Sequence, residues 1–121
     1  MSTTKWKART MQIGKAQVQA FGVKSNITLH VLNTPKGQLL VHSTDNADEQ
    51  PFARISVYVQ GIELEENEFI CKTWTENEWV PQLLKYSYFE DTGKRVPINF
   101  VVGQIWRLVN TESGPFEGVV D

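Results

Sequence analysis

The sequence predicts an α+β domain: a mostly antiparallel sheet of five or six strands, with one principal helix at about 77–86 packed on one face. Three observations point there. Apolar and polar residues alternate in several short runs, the period of a half-buried strand. Most connections between those runs are short, which favours antiparallel pairing. Only the stretch after Trp74 combines a helix start with an apolar stripe at helical spacing. With 121 residues, 40% of them hydrophobic, the chain is long enough for one domain with its own core.

Residues 1–15 read as a basic arm, 16–109 as the domain and 110–121 as a polar tail. QVQAFGV (17–23) is a candidate strand. NITLHVLN (26–33) alternates, with Ile27, Leu29 and Val31 on one face and Thr28, His30 and Leu32 on the other. Thr34-Pro35-Lys36-Gly37 then turns the chain into QLLVHS: Pro35 presets φ, and Gly37 can take the left-handed conformation. A three-residue loop there sets Val31 opposite Val41, Leu32 opposite Leu40 and His30 opposite His42. DNADEQP (45–51) is a polar loop. FARISVYVQ (52–60) is the clearest strand, with Ala53, Ile55, Val57 and Val59 on one face and Arg54, Ser56 and Tyr58 on the other. EFICKT (68–73) is a short strand that places Phe69 and Cys71 together. The helix follows, with Asn77 or Thr75 as N-cap, Glu78 at its positive end and Pro81 in the first turn, where a missing N–H costs little. Its inner stripe is Trp79 or Val80, Leu83, Leu84 and Ser87. NFVVGQIWRLV (99–109) is the last strand, with Gly103 a candidate bulge.

The net charge of −2 hides an asymmetry. Residues 1–44 hold six basic residues and no acidic one; residues 45–121 hold fourteen acidic against six basic. The acidic excess is steepest over 45–91. Either the halves lie side by side and neutralise each other, or the charge steers the protein toward a charged partner. A single cysteine, Cys71, forms no internal disulfide and fits a reducing, cytoplasmic setting. No apolar run approaches the roughly 20 residues that span a bilayer, and no apolar stretch follows the basic N-terminus as a secretory signal requires.

Each candidate for chemistry has a plainer alternative. His30 and His42 across a hairpin supply two ligands of a zinc site that needs three or four; otherwise they are two polar residues on a solvent face. Cys71 stands among Glu65, Glu66, Glu68, Glu76 and Glu78, which blunt a thiol, so it reads as a small core residue. The pairs Glu65/Glu66, Glu76/Glu78 and Glu90/Asp91 lie in no recognised metal loop or phosphate cradle and read as solvated charge. Trp79 and Trp106 read as core, while Trp74 fits core or surface. Trp6 lies among Lys5, Lys7 and Arg9, an aromatic framed by cations that suits stacking on a base beside phosphates. It equally suits an acidic protein surface, or folding back onto its own domain.

From Phe52 to Leu108 the pieces FARISVYV, LEENEFICKTWTENEW, LL, FEDTGKRVPINFV and IWRL stand in order. This arrangement resembles a family of small domains of unknown function found in bacteria and on their plasmids, integrated elements and phages. Its members carry FA-x-L-x-V, then ENEF-x-x-K-x-W-x-EN, then a helix, then F-E-x-TG-x-x-VP-x-x-FV. The resemblance covers about half the chain, brings no catalytic residue with it, and implies a setting: the accessory cargo of mobile DNA. The expectation is a non-enzymatic binding protein that inhibits a host defence, of anti-CRISPR or antirestriction type. Its acidic surface, Glu63, Glu65, Glu66, Glu68, Glu76 and Glu78, would meet a host protein or protein–nucleic acid complex. The alternative is a nucleic-acid-binding accessory protein using Lys5, Trp6, Lys7, Arg9 and Lys15. A metalloenzyme built on His30 and His42 is the third reading. No cofactor, metal or membrane is expected.

Overall fold

A computed structural model describes residues 10–34 and 37–119. Its ten strands, among the described residues, are β1 Thr10–Ala20, β2 Val23–Leu32, β3 Leu40–Asp45, β4 Pro51–Arg54, β5 Ser56–Val57, β6 Glu68–Cys71, β7 Phe89–Ile98, β8 Val101–Leu108, β9 Asn110–Thr111 and β10 Gly114–Pro115. They form two four-stranded antiparallel sheets, β1-β2-β3-β4 and β5-β6-β8-β7, and a small β9–β10 hairpin. The expected single sheet of five or six strands is therefore divided in two.

The central hairpin has the expected register: Val31 faces Val41, Leu32 faces Leu40 and His30 faces His42. Gly37 takes φ 85° and its N–H reaches the Thr34 carbonyl at 3.1 Å. Pro35 and Lys36 lie outside the described residues. Around this hairpin the sequence expectations fail in instructive ways. QVQAFGV is not one strand: Phe21 (φ 56°) and Gly22 (φ 80°) form a tight turn between β1 and β2, with Ala20 paired to Val23. Positive φ at both turn residues matches the right-handed strand twist. The arm does not extend to residue 15, because Thr10–Lys15 already pair with Leu32–Thr28. A bulge between Gln12 and Gly14 resets the alternation, so that Ile13 and Gly14 are both buried. Gly14 is needed there: a Cβ would meet the Tyr88 hydroxyl oxygen, and Tyr88 Cζ at 2.6 Å.

FARISVYVQ bends at Ile55 instead of running through. The Ile55 N–H donates to the Val41 carbonyl in the first sheet, and its carbonyl accepts from the Lys72 N–H in the second, both at 2.8 Å. One residue thus joins the two ladders. The bend splits the expected face: Ile55 enters the main core, while Val57 and Val59 cover a second cluster. The main core lies between the sheets. Ala16, Val18, Ala20, Ile27, Leu29, Val31 and Val41 meet Phe69, Cys71, Phe89, Trp106 and Leu108. Phe69 and Trp106 meet edge to face at 6.4 Å, a geometry worth about 0.5–1.5 kcal/mol beyond burial. The other face of the second sheet buries Ile70, Val96 and Ile105 under Val57, Val59, Ile62 and Leu64.

The expected helix at 77–86 is two short 3₁₀ segments, Thr75–Asn77 and Val80–Lys85. Pro81 brings no N–H, and the bonds that form are i→i+3: Gln82 N–H to Trp79 and Tyr86 N–H to Leu83, both at 3.1 Å. Asn77 caps nothing. It is buried, and its amide pins the chain by donating to the Arg54 carbonyl at 2.7 Å. Trp79, Val80 and Leu83 enter the core as expected, whereas Leu84 and Ser87 face solvent. Gly103 carries no bulge; the irregularity lies across the strand pair, between Asp91 and Arg95. The tail is ordered through the β9–β10 hairpin, and Phe116 is buried.

Among the described residues no strand pairs along the outer edge of β1, where the Glu112 N–H alone gives a backbone bond, to the Ile13 carbonyl at 2.8 Å. Side chains take that place. Gln82 accepts the Gln19 N–H and donates to the Gln19 carbonyl, both at 2.8 Å. Tyr86 Oη accepts the Gln17 N–H at 2.7 Å and lies 3.2 Å from the Gln17 carbonyl. Tyr88 Oη donates to the Lys15 carbonyl at 2.8 Å, and the Glu112 carboxylate accepts the Lys15 N–H at 3.1 Å. The 3₁₀ segment thus supplies a side-chain substitute for a missing strand, which protects an otherwise open edge.

Candidate binding surfaces

Of the six glutamates expected to form an acidic surface, Glu68 is buried and the other five are exposed. Glu68 is 2% exposed. Its carboxylate accepts the Glu65 N–H at 2.9 Å and meets Lys94 Nζ at 2.8 Å and Arg107 at 3.2 Å. Burial alone pushes its pKa up; Lys94, the Glu65 N–H and Arg107 more than offset this and hold it below the ordinary glutamate value. Glu65 stays exposed, and the same two cations lie 3.5 and 3.8 Å away. Arg107 also binds Glu90 at 2.8 Å. Glu76 pairs with Lys72 at 2.5 Å, and that hydrogen bond is the main cause that lowers its pKa to about 2. Glu63, Glu66 and Glu78 are exposed, and no salt bridge reaches them among the described residues.

The cations in salt bridges among the described residues are Lys72, Lys94, Arg107 and Arg95, the last paired with Asp91, and all come from the acidic half of the sequence. Neutralisation is local to that half. Lys15, Lys24 and Arg54 have no salt bridge among the described residues. Lys15 is on β1, not on an arm, and Lys5, Trp6, Lys7 and Arg9 lie outside the described residues.

Two surfaces stand out. At the β1–β2 tip, Glu76 and Glu78 border a groove with Phe21, Trp79 and Gln82. Phe21 is 66% exposed, tilted against Phe52 at 6.2 Å, and held at positive φ, a conformation that costs a bulky residue about 1–2 kcal/mol. Phe52 meets Trp79 edge to face at 5.4 Å beneath it. The sequence hid Phe21 because a bulky aromatic is not a residue that marks a positive-φ turn.

The second surface is the outer face of the first sheet. There Gln12, His30, His42 and Arg54 sit side by side across four strands, from β1 to β4. The two imidazoles stack, with centroids 5.0 Å apart and planes 22° from parallel. His30 Nε2 is 3.0 Å from Thr44 Oγ1. Burial lowers both imidazole pKa values; His30 and Arg54 lower that of His42 further. Among the described residues no three His, Cys, Asp or Glu side chains converge as metal ligands. Arg54, Ser56 and Tyr58, expected on one face, line one groove together.

Cys71 is fully buried, and burial, with Asp91 nearby, pushes its thiol pKa well up. Trp106 and Trp79 are both core residues. The buried Trp79 indole N–H finds no acceptor among the described residues. No helix among the described residues is long and apolar enough to cross a membrane. No protein-family model, curated protein or solved structure matches the chain.

Proposed function

We propose that the chain is a non-enzymatic binding protein that docks on a basic surface of a protein partner through its β1–β2 tip. In the mobile-element setting that the sequence resemblance implies, the partner is cytoplasmic host machinery that handles nucleic acid, and docking inhibits a host defence. The observation that carries this reading is Phe21: a large aromatic, exposed and conformationally strained, beside the carboxylates of Glu76 and Glu78. Strain kept at an exposed aromatic points to use, since Asn-Gly would make the same turn without it. An aromatic anchor with flanking carboxylates suits a basic partner, where the anchor supplies affinity and the charges supply orientation. Glu68 drops out of the surface because it is buried, while Glu63 and Glu66 stay exposed on the loop before β6.

Phe21→Asn tests the reading because stability and binding should move apart. Its melting temperature should equal or exceed that of the native protein, as the left-handed strain is relieved. Capture of a partner from host lysate, followed by competition with nucleic acid, should be lost in Phe21→Asn and weakened in Glu78→Lys. A partner retained equally by native protein and both variants would refute docking at this tip.

A further inference from the structure

We propose that the outer face of the first sheet binds the phosphodiester backbone of single-stranded nucleic acid, with Lys15, His30, His42 and Arg54 meeting its phosphates. This is independent of docking at the β1–β2 tip.

Three shallow grooves adjoin across this face. Lys15 and His30 line the first, and His42 and Arg54 the second; Arg54 and Leu40 are shared with the third, which ends at Tyr58. The stacked imidazoles join the first groove to the second. From the β1 position of Gln12 to the β4 position of Arg54 the face crosses three strand spacings, about 14 Å at ~4.8 Å each. A chain of phosphates laid across that span meets Lys15 at one end and Arg54 at the other. Neither cation is engaged by a carboxylate salt bridge among the described residues.

The charged groups facing the histidines come from three strands and one loop. Lys15 stands on β1, Asp45 on β3, Glu49 on the following loop and Arg54 on β4. Asp45 is partly occupied, since its Oδ1 accepts the Ala47 N–H at 2.8 Å. In the free protein the pair leans to the neutral form, because burial, the second imidazole and Arg54 all disfavour a proton. A phosphate between Arg54 and the rings removes that penalty, so binding takes up protons.

An acidic peptide offers similar charge. The sequence favours nucleic acid: the nine residues before Thr10 include Lys5, Trp6, Lys7 and Arg9. The described strand begins at Thr10, opposite Leu32, which lines the second groove. Cations around a tryptophan suit phosphates and a base together.

The experiment is fluorescence anisotropy of a labelled mixed-sequence single-stranded oligonucleotide with the full chain, at about 50 mM salt and rising, from pH 7.5 to 5.5. Affinity should rise about tenfold as pH falls, the factor that one unit of pKa shift carries. Arg54→Gln should make the slope of log K on log salt shallower by about 0.7, one phosphate contact on a single strand. His30→Asn with His42→Asn should flatten the pH dependence while leaving the melting temperature near native. In the native protein, oligonucleotide should raise both histidine pKa values read by NMR. The proposal is overturned by no binding at pH 6, or by variants whose affinity, salt slope and pH profile match native. It is also overturned if polyglutamate competes as well as oligonucleotide.

Discussion

Glu68→Ala is expected to lower the unfolding free energy by about 3 kcal/mol, through loss of the acceptor for the Glu65 N–H and of the shared partner of Lys94 and Arg107. The figure sits at the lower end for breaking a buried ion pair. The two cations stay partly exposed and can rehydrate, whereas the Glu65 N–H loses its acceptor at a part-buried site. The loss should depend on pH in a fixed direction. The Glu68 pKa in the fold lies below its ordinary 4.5. Such a carboxylate contributes stability that is complete above its unfolded pKa and is lost as pH falls through the folded one. Denaturant titrations should therefore show the gap between native and variant widest near pH 7 and narrowing below pH 4.5. An equal gap at pH 7 and pH 3 would show that the carboxylate acts by shape alone.

The second large effect concerns the edge of β1. Removing Gln82 and the Tyr86 hydroxyl together, as Gln82→Ala with Tyr86→Phe, frees the N–H and C=O groups of Gln17 and Gln19. These bonds are solvent-exposed, so stability should fall by only about 2 kcal/mol for the four. The larger consequence is association. An eleven-residue strand with an open edge is a template for a second chain. Sedimentation should show a mass that rises with concentration in the double variant relative to the native protein. An unchanged sedimentation profile in both would mean that the edge is protected by something other than these two side chains.

Much of the fold is legible where short-range rules decide. The β2–β3 register follows from strict alternation and a Pro-Gly turn, and with it the pairing of His30 and His42. Phe69 and Cys71 share the core as their spacing implies. What is not legible depends on partners distant in sequence. Glu68 sits in a segment that reads as solvated charge; its burial requires Lys94 and Arg107, which arrive on β7 and β8. Tyr86, Gln82 and Tyr88 look like ordinary helix and loop residues until β1 is placed beside them. The Phe21-Gly22 turn is not legible because a bulky aromatic does not mark a positive-φ position, and an apolar stripe over six residues serves a 3₁₀ segment as well as a helix. The candidate surfaces divide in the same way: the histidine row was visible in pieces, and the tip joining Phe21 to Glu78 was not.

The junction at Ile55 also bears on the order in which the chain folds. The first sheet is built in chain order, β1-β2-β3-β4, so each strand pairs with one just synthesised. The second sheet is not: β8 must settle between β6 and β7, with Phe69 opposite Trp106. Nearby pairings close quickly and distant ones slowly. Ile55 stands on the border, its N–H turned to Val41 behind it and its carbonyl to Lys72, which follows later. Pulse-labelled amide exchange should find the β2–β3 amides protected before the Lys72 N–H and before β8. A chain emerging from the ribosome would then hold a formed histidine face while its acidic half was still unpaired.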